Sequence, residues 1–514
     1  MMRDSEGRSD SKIKSLADLV EIIADLKVHG RKVVLCHGAF DLVHPGHIRH
    51  LEAARREGDV LVVTVTPDRY VNKGPGRPVF NERLRAESLV ALHCVDYAAI
   101  NEWPTAVETI RLLMPDVYAK GSEYAQREKD ITGKIYEEEQ AILSVGGRIC
   151  FTDEITFSSS HLINNYFNVL PPEAENWLEA FRRQHSADEV IGYLEGAASL
   201  KALVVGEAII DEYVFCDGLG KSTKDPILAF LYRSTETYAG GSLAVANHVA
   251  GFCGQVGLIT FLGESERRED LVRRTLLPNV NPCFVTRKRA PTIHKRRFVD
   301  AHTGARMFEL YVMEDGTLKT EEEKALAEAL AETIDNYDIV VVMDYGHGML
   351  TASTIELLCE NARFLAVNTQ ANAGNRGFNT ISKYPRADYV CLAMHEVALE
   401  TRMRHGDWRD LALEVMRRIK CPHFTITWGK YGSLHYTVDG DFIQVPAFAP
   451  RVVDRVGAGD SVLAVTSLLV AQGAPWDIVG FVGNLAGAQM VAELGNRATV
   501  SKASIAKHVS SLMR

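Results

Sequence analysis

Two short stretches of this 514-residue chain carry side chains whose types and spacing could do chemistry. The first is HGAFDLVHPGH, His37 to His47. Its imidazoles His44 and His47 bracket Pro45-Gly46, between an apolar run (VVLC from Val33) and a helix-like run. A helix beginning near Gly46 would aim free N–H groups and the positive end of its dipole at the preceding crevice, which suits phosphate. Gly38 and Gly46 allow close backbone approach, with Ala39 and Phe40 between them. His44 and His47 could then donate to phosphate oxygens, most strongly as charge builds on an α-phosphate and a leaving pyrophosphate. Taken singly, each histidine also fits a structural place, His44 as a turn cap and His47 on a helix face.

The second stretch is DRVGAGDSVLAVTSLLVAQG. Gly457-Ala458-Gly459 precedes Asp460 and a long apolar run. A Gly-Ala-Gly turn at a helix start makes an anion hole of main-chain N–H groups. Asp460 at its edge could take a proton from a hydroxyl attacking a γ-phosphate. A plain helix-capping aspartate is the alternative for these four residues alone.

The elements around these stretches must hold them at one edge of a sheet. From Lys32 to about residue 165, near-continuous apolar strands alternate with helical runs, the mark of a parallel sheet covered on both faces. A second alternating region runs from Lys201 to the end. The expected division is a disordered start and lead-in helix (1–30), a Rossmann-like α/β domain (31–165), a helical connector after Pro171-Pro172 (166–199) and a larger α/β domain (200–514). A net charge of −10 argues against a general nucleic-acid binder. Nine scattered cysteines, none in a CxxC pair, read as reduced thiols. No secretory signal is visible and no apolar run reaches membrane-spanning length, so a cytoplasmic protein with no membrane partner is expected.

The motifs resemble two known families. GAFDLVHPGH resembles the HxGH signature of cytidylyltransferase-like nucleotidyltransferases. NKGPGRPVFNERLR, VDYAAI, MPDVYAKGSEY and GGRICFTDE resemble, in order, the adenylyltransferase domain of the bifunctional heptose kinase/adenylyltransferase family. The resemblance implies that His44 and His47 face a triphosphate and that Lys73, Arg77, Glu82 and Arg83 lie in the segment after the second strand. It implies that Lys120-Gly121 precedes a substrate loop, and that Ser158 and Ser159 sit before the last helix. Lysine and arginine are chemically suited to phosphate. GGSLAVANHVAGFCGQVGLITFLG and VGAGDSVLA resemble the two signatures of ribokinase-like sugar kinases. That likeness implies Asp460 as base and Gly457, Ala458 and Gly459 as anion hole. It implies Thr427, Gly429 and Gly432 as ATP contacts, and Asp211, Gly240, Gly241 and Asn247 near the sugar.

The chain departs from these families in places. His37 and Ala39 stand where the heptose enzymes carry Asn and Cys. Ala393 replaces the Asn of an Asn-x-x-Glu motif whose Glu396 remains, as an indirect metal contact. Val456 replaces a Thr, and an Asn-rich run (Asn368, Asn372, Asn375, Asn379) replaces an Asp-Pro-Lys segment. The domain order is the reverse of the family's. The resemblance implies a bifunctional sugar kinase and sugar-1-phosphate nucleotidyltransferase, making an ADP-heptose-like product with Mg²⁺ and ATP, or CTP at the N-terminal site. A homo-oligomer, such as a dimer, is implied too. The alternatives are a nucleotidyltransferase whose kinase-like domain binds, dimerises or regulates without phosphorylating, or one acting on a different sugar or polyol phosphate with CTP.

Overall fold

The computed structural model describes residues 12–71, 78–121, 134–152, 170–436, 440, 442–449 and 451–513. The chain divides into two units, Met1–Val169 with Ala506–Arg514, and Leu170–Ile505.

The first unit is built on five strands: β1 (Val33–Gly38), β2 (Val60–Val65), β3 (Tyr97–Ile100), β4 (Val117–Gly121) and β5 (Arg148–Thr152). They pair in parallel in the order β3-β2-β1-β4-β5. Helices α1 (Leu16–Val28), α2 (Pro45–Arg55), α3 (Glu82–Val90), α4 (Val107–Leu113) and α5 (Lys134–Ser144) cover the sheet. Strand alternation decides which helices meet which face. Val34 and Cys36 pack with Leu51, Ala54 and Leu89 of α2 and α3. Val33 and Leu35 pack with Leu19, Ile110 and Ile142 of α1, α4 and α5. The strand order reverses beside β1, and ligands of open α/β sheets bind at such a point, beyond the carboxyl ends of the strands.

The second unit starts with α6 (Pro172–Gln184) and α7 (Ala187–Gly196). This stretch, read from sequence as a connector, packs on the unit's own core. Trp177 lies 4.8 Å from Phe181 and 5.8 Å from Phe448 between ring centroids, and His185 Nε2 is 2.7 Å from Asp477. Then follow β6 (Lys201–Gly206), β7 (Ala208–Lys221), β8 (Leu228–Gly241), α8 (Ser242–Ala250), β9 (Gln255–Ser265), α9 (Glu269–Thr275), β10 (Val280–Pro291), β11 (Ile293–Asp300) and β12 (Arg306–Val312). The chain continues through α10 (Thr320–Thr333), β13 (Ile339–Asp344), α11 (Ala352–Asn361), β14 (Leu365–Thr369), β15 (Tyr389–Ala393), α12 (Met394–Thr401), α13 (Trp408–Arg418) and β16 (His423–Thr427). It closes with β17 (Ser433–Tyr436), β18 (Phe442–Val445), α14 (Ala458–Ala471), α15 (Trp476–Val491) and α16 (Lys502–Leu512), whose residues from Ala506 on are grouped with the first unit.

Nine of these strands form one sheet, β10-β9-β6-β13-β14-β15-β16-β17-β18, parallel except for the last two pairings. Four form a separate small sheet, β12-β11-β7-β8. This small sheet falls within the same unit as the large one. Its outer surface carries exposed apolar side chains, including Leu219, Leu228, Tyr232, Phe308 and Leu310, so no clean inside-outside alternation marks it off.

Candidate active sites

In the first unit, β1 ends at Gly38 and α2 begins at Pro45, with His44 as its N-cap. The His44 Nδ1 accepts the Gly46 N–H at 3.1 Å. The proton of the neutral ring is therefore on Nε2, which makes that nitrogen a donor. The His47 Nδ1 lies 3.1 Å from the Leu42 carbonyl and so carries its proton there. The two rings stack, 4.0 Å between centroids at 25°, and Phe40 meets His47 edge-on at 5.3 Å. Phe40 takes a φ of 46°, a conformation that costs a bulky residue energy. Its ring lies against Gly38, where an added Cβ would come within 3.1 Å. The paired histidines therefore stand as one stacked unit at a helix N-terminus.

Arg85, which the sequence did not single out, holds this loop together with Asp41, Glu82 and His37. Arg85 of α3 has a fully buried side chain. It donates to the carbonyls of Phe80 at 2.9 Å, Thr66 at 2.8 Å and Ala39, and pairs with Asp68 at 2.5 Å. Buried Asp41 accepts the Val79 N–H at 2.6 Å. The ends of β1 and β2 and the start of α3 are thus tied together. Glu82 joins this tie by accepting the Asp68 N–H at 2.8 Å. His37 is bracketed by Thr64 and Thr66 hydroxyls at 3.0 and 3.2 Å.

Lys120, near the end of β4, pairs with Glu138 of α5 at 2.9 Å. The same carboxylate accepts the Tyr118 hydroxyl at 3.0 Å. Burial pushes the Glu138 carboxyl up, but Lys120 outweighs it and holds the group below its ordinary range. Burial, helped by the Lys120 charge, pushes His50 down to about 4. Gly121 ends β4 in register with Thr152. Arg83 lies on the exposed side of α3 and pairs with Glu87 at 2.9 Å. Lys73, Arg77, Ser158 and Ser159 lie outside the described residues.

In the second unit, Gly457 adopts a φ of 80° and caps α14. Asp460, in the first turn, is buried and its Oδ2 accepts the Tyr345 hydroxyl at 3.1 Å. Burial pushes the Asp460 carboxyl up to about 6, against the pull of that hydroxyl. Tyr345 directly follows β13, so the start of α14 lies at the carboxyl edge of the large sheet. An added Cβ on Gly457 would fall 2.2 Å from Asn496 Oδ1, while Gly459 faces open space. Asn496 donates to Asp211 at 3.2 Å, and Asp211 pairs with Arg297 at 2.5 Å. Gly240 leaves room for that aspartate, since a Cβ there would meet Asp211 Oδ2 at 2.0 Å. Gly241, with a φ of 58°, turns β8 into α8. Asp211, Gly240, Gly457 and Asp460 are therefore brought into one neighbourhood.

Lys295 of β11, itself buried, lies over the rings of Tyr311 and Tyr345 at 5.1 and 5.7 Å. Burial lowers its proton affinity, with Asp211 opposing. A cavity of about 190 Å³ opens between the end of β8, α8 and residues 496–499, lined by Tyr238, Ala244, Asn247, His248 and Asn496 among others.

Other expected residues are held differently. Asn247 lines the cavity, but its amide donates to the Thr275 carbonyl and accepts the Leu277 N–H, at 2.8 and 2.9 Å. Thr427 ends β16 in register with Ala393. Gly429 and Gly432, with φ of 55° and 88°, form the turn into β17. Both Glu396 oxygens are taken by backbone N–H groups, of Ala393 at 2.7 Å and Ala371 at 3.0 Å. Burial pushes this carboxyl up to about 7. Among the described residues no group of three or more His, Cys, Asp or Glu side chains gathers to hold a metal ion. The described residues therefore do not build a protein cage for Mg²⁺. The asparagine run is largely self-satisfied: Asn372, Asn375 and Asn379 donate to backbone carbonyls of Tyr345, Gln370 and Asp344. No described helix is long and apolar enough to cross a membrane.

Comparison with known proteins matches both units. The model of the pfkB family carbohydrate kinases matches residues 199–503, and the cytidylyltransferase-like model matches residues 35–165. The chain is 42% identical over 143 residues to the bifunctional protein HldE of Trichlorobacter lovleyi, covering 27% of this chain and 28% of that protein. It is 28% identical over 314 residues to HldE of Bradyrhizobium diazoefficiens, covering 60% and 62%. These matches span less than two thirds of the relatives' length. Phosphofructokinase-2 from Escherichia coli in complex with potassium has the same fold as the second unit, at a TM-score of 0.50 and 19% identity, covering 62% of this chain and all of that one.

Proposed function

The chain belongs to the pfkB family of carbohydrate kinases, with a cytidylyltransferase-like unit ahead of the kinase, and on that footing we propose that it is a bifunctional enzyme. Its second unit phosphorylates a sugar phosphate with ATP. Its first couples a sugar 1-phosphate to a nucleotide and releases pyrophosphate. A heptose phosphate is the substrate that the motif resemblance favours, with an ADP-heptose-like product.

One observation carries the reading: each unit starts a helix at the carboxyl edge of its sheet with a phosphate-competent group in place. These groups are the stacked His44 and His47 in one unit, and the Gly457 turn with buried Asp460 in the other. In the transferase unit, the Nε2–H of His44 and the N-terminus of α2 receive the nucleotide phosphates. Lys120 adds positive charge at the end of β4, steadied by Glu138. A substrate phosphate attacks the α-phosphate in line and pyrophosphate leaves. In the kinase unit, Asp460 takes the proton of the attacking hydroxyl, and the Gly457–Gly459 amides face the transferring phosphoryl group. The sugar occupies the neighbourhood of Asp211 and Gly240, next to the cavity. Thr427 and the Gly429–Gly432 turn border the nucleotide. Mg²⁺, when bound, would be held chiefly by the nucleotide phosphates and would offset their charge.

A second reading has one observation behind it. With both Glu396 oxygens spent on backbone N–H groups and Ala393 lacking a polar side chain, the kinase unit would bind its ligands without turnover. The full chain, given sugar phosphates with ATP or CTP, separates the two. Pyrophosphate and ADP together support the bifunctional reading; pyrophosphate alone supports the second.

The exposed apolar surface of the small sheet fits a second copy of the chain, since exposed apolar patches of this kind mark interaction sites. Phe308→Asp with Leu228→Asp should then turn a dimer into a monomer in light scattering. An unchanged mass would remove this face from consideration.

A further inference from the structure

The small sheet carries Asp211, while the anion-hole turn belongs to the start of α14. We propose that Arg306, on β12, is a positioning residue that fastens the anion-hole turn to the small sheet through Asp454. This rests on reading the second unit as a sugar kinase.

Asp454 lies three residues before Gly457 and is only 3% exposed. Its Oδ1 accepts the Val456 N–H at 2.9 Å and pairs with Arg306. Its Oδ2 accepts the Tyr213 hydroxyl at 3.0 Å and the Gly495 N–H at 2.9 Å. One carboxylate thus grips the residue leading into the turn and the loop on which the turn leans. That loop continues to Asn496, whose Oδ1 leaves no room for a Cβ on Gly457.

The other two partners come from the small sheet. Tyr213 stands on β7, two residues from Asp211. Arg306 opens β12, its guanidinium 3.5 Å from the Tyr213 hydroxyl and over that ring at 5.8 Å. The Tyr213 ring also packs on Gly495, where a Cβ would come within 2.8 Å. The small sheet therefore reaches the turn by two routes: Asp211 through Asn496 to Gly457, and Arg306 with Tyr213 through Asp454 to Val456. A sugar that engages Asp211 settles the same sheet that holds the anion hole in register.

The charge on Arg306 matters because a buried carboxylate is costly without a cation. Burial pushes the Asp454 carboxyl up, and the N–H donors with Arg306 outweigh it and keep the group below its ordinary range. Arg306 is itself 40% exposed along its side chain, so its removal opens no core cavity.

The test uses the full chain as wild type, Arg306→Ala and Arg306→Lys. Hydrogen exchange of the amides around 454–460 and 494–497 reads the fastening directly, whatever the activity. The alanine variant should exchange about fivefold faster or more there, and the lysine variant should return near wild type. The alanine variant's kcat for ADP formation should fall about tenfold or more, with the sugar KM changed by less than about threefold. Pyrophosphate release, from the other unit, should be unchanged. Exchange that stays at the wild-type rate in Arg306→Ala, or lysine no better than alanine, overturns the proposal. A wild type that forms no ADP with any sugar phosphate overturns the kinase reading instead, and the exchange result still decides the fastening.

Discussion

Asp460 is subject to opposing pulls. Burial pushes its carboxyl up to about 6, while the Tyr345 hydroxyl favours the ionised form. A base must be ionised to accept a proton, so ADP formation should rise with pH through about 6 and level off above it. Tyr345→Phe removes the donor that favours the carboxylate. The acid limb of kcat should therefore move to higher pH. A limb that stays in place would mean that Asp460 is not the group being titrated. His47→Ala should lower pyrophosphate release about a hundredfold. The variant loses one ring of the stacked pair, and ADP formation from the other unit serves as its internal control.

At the scale of elements, the first site depends on three chain segments arriving together. Arg85 joins them with three carbonyl bonds and one ion pair, all from a buried guanidinium. Arg85→Met should cost about 2–4 kcal/mol of stability by leaving those carbonyls unpaired, and should lower pyrophosphate release as the His37–His47 loop relaxes. Thermal unfolding and the pyrophosphate assay check both halves, and a fully active Arg85→Met would separate the loop from this anchor. Lysine should rescue only in part, because it cannot reach several acceptors in one plane.

Much of this level was legible in the sequence. The parallel strands are short, apolar and evenly interrupted, and the first candidate site sits where such a strand passes into a helix, while the second opens a helix after a loop that follows antiparallel β18. Arg85, Glu138 and Asp454 were not legible. Each works mainly through partners distant along the chain, and nothing local distinguishes them from ordinary surface charges. The glycine turn before Asp460 could be read because a helix start is a local event, whereas its bond to Tyr345 is a fact of the sheet. Asn247 could be placed in a motif from the sequence, whereas the Thr275 and Leu277 backbone groups that engage its amide are facts of the tertiary structure.

At the scale of the whole molecule, stability carries the signature of carboxyls buried beside the kinase site. Glu396 is held up to about 7 by burial, against an ordinary value of 4.5. Between those values the unfolded chain ionises while the folded one stays protonated, so this group's contribution is lost as pH rises through that window. The loss is on the order of 3 kcal/mol. Glu396→Gln cannot ionise, so its melting temperature relative to wild type should climb from pH 5 to pH 8. A difference that is flat across that range would mean the carboxylate is as comfortable folded as unfolded.

On the function proposed, one chain performs two phosphoryl chemistries, one in each unit. The measurement that tests it follows pyrophosphate and ADP separately as the full chain is given a panel of sugar phosphates with ATP or CTP. Wild type, His47→Ala and Asp460→Asn are compared. Wild type should form both products, His47→Ala should lose pyrophosphate alone, and Asp460→Asn should lose ADP alone. Undiminished ADP formation in Asp460→Asn, or undiminished pyrophosphate release in His47→Ala, would contradict it.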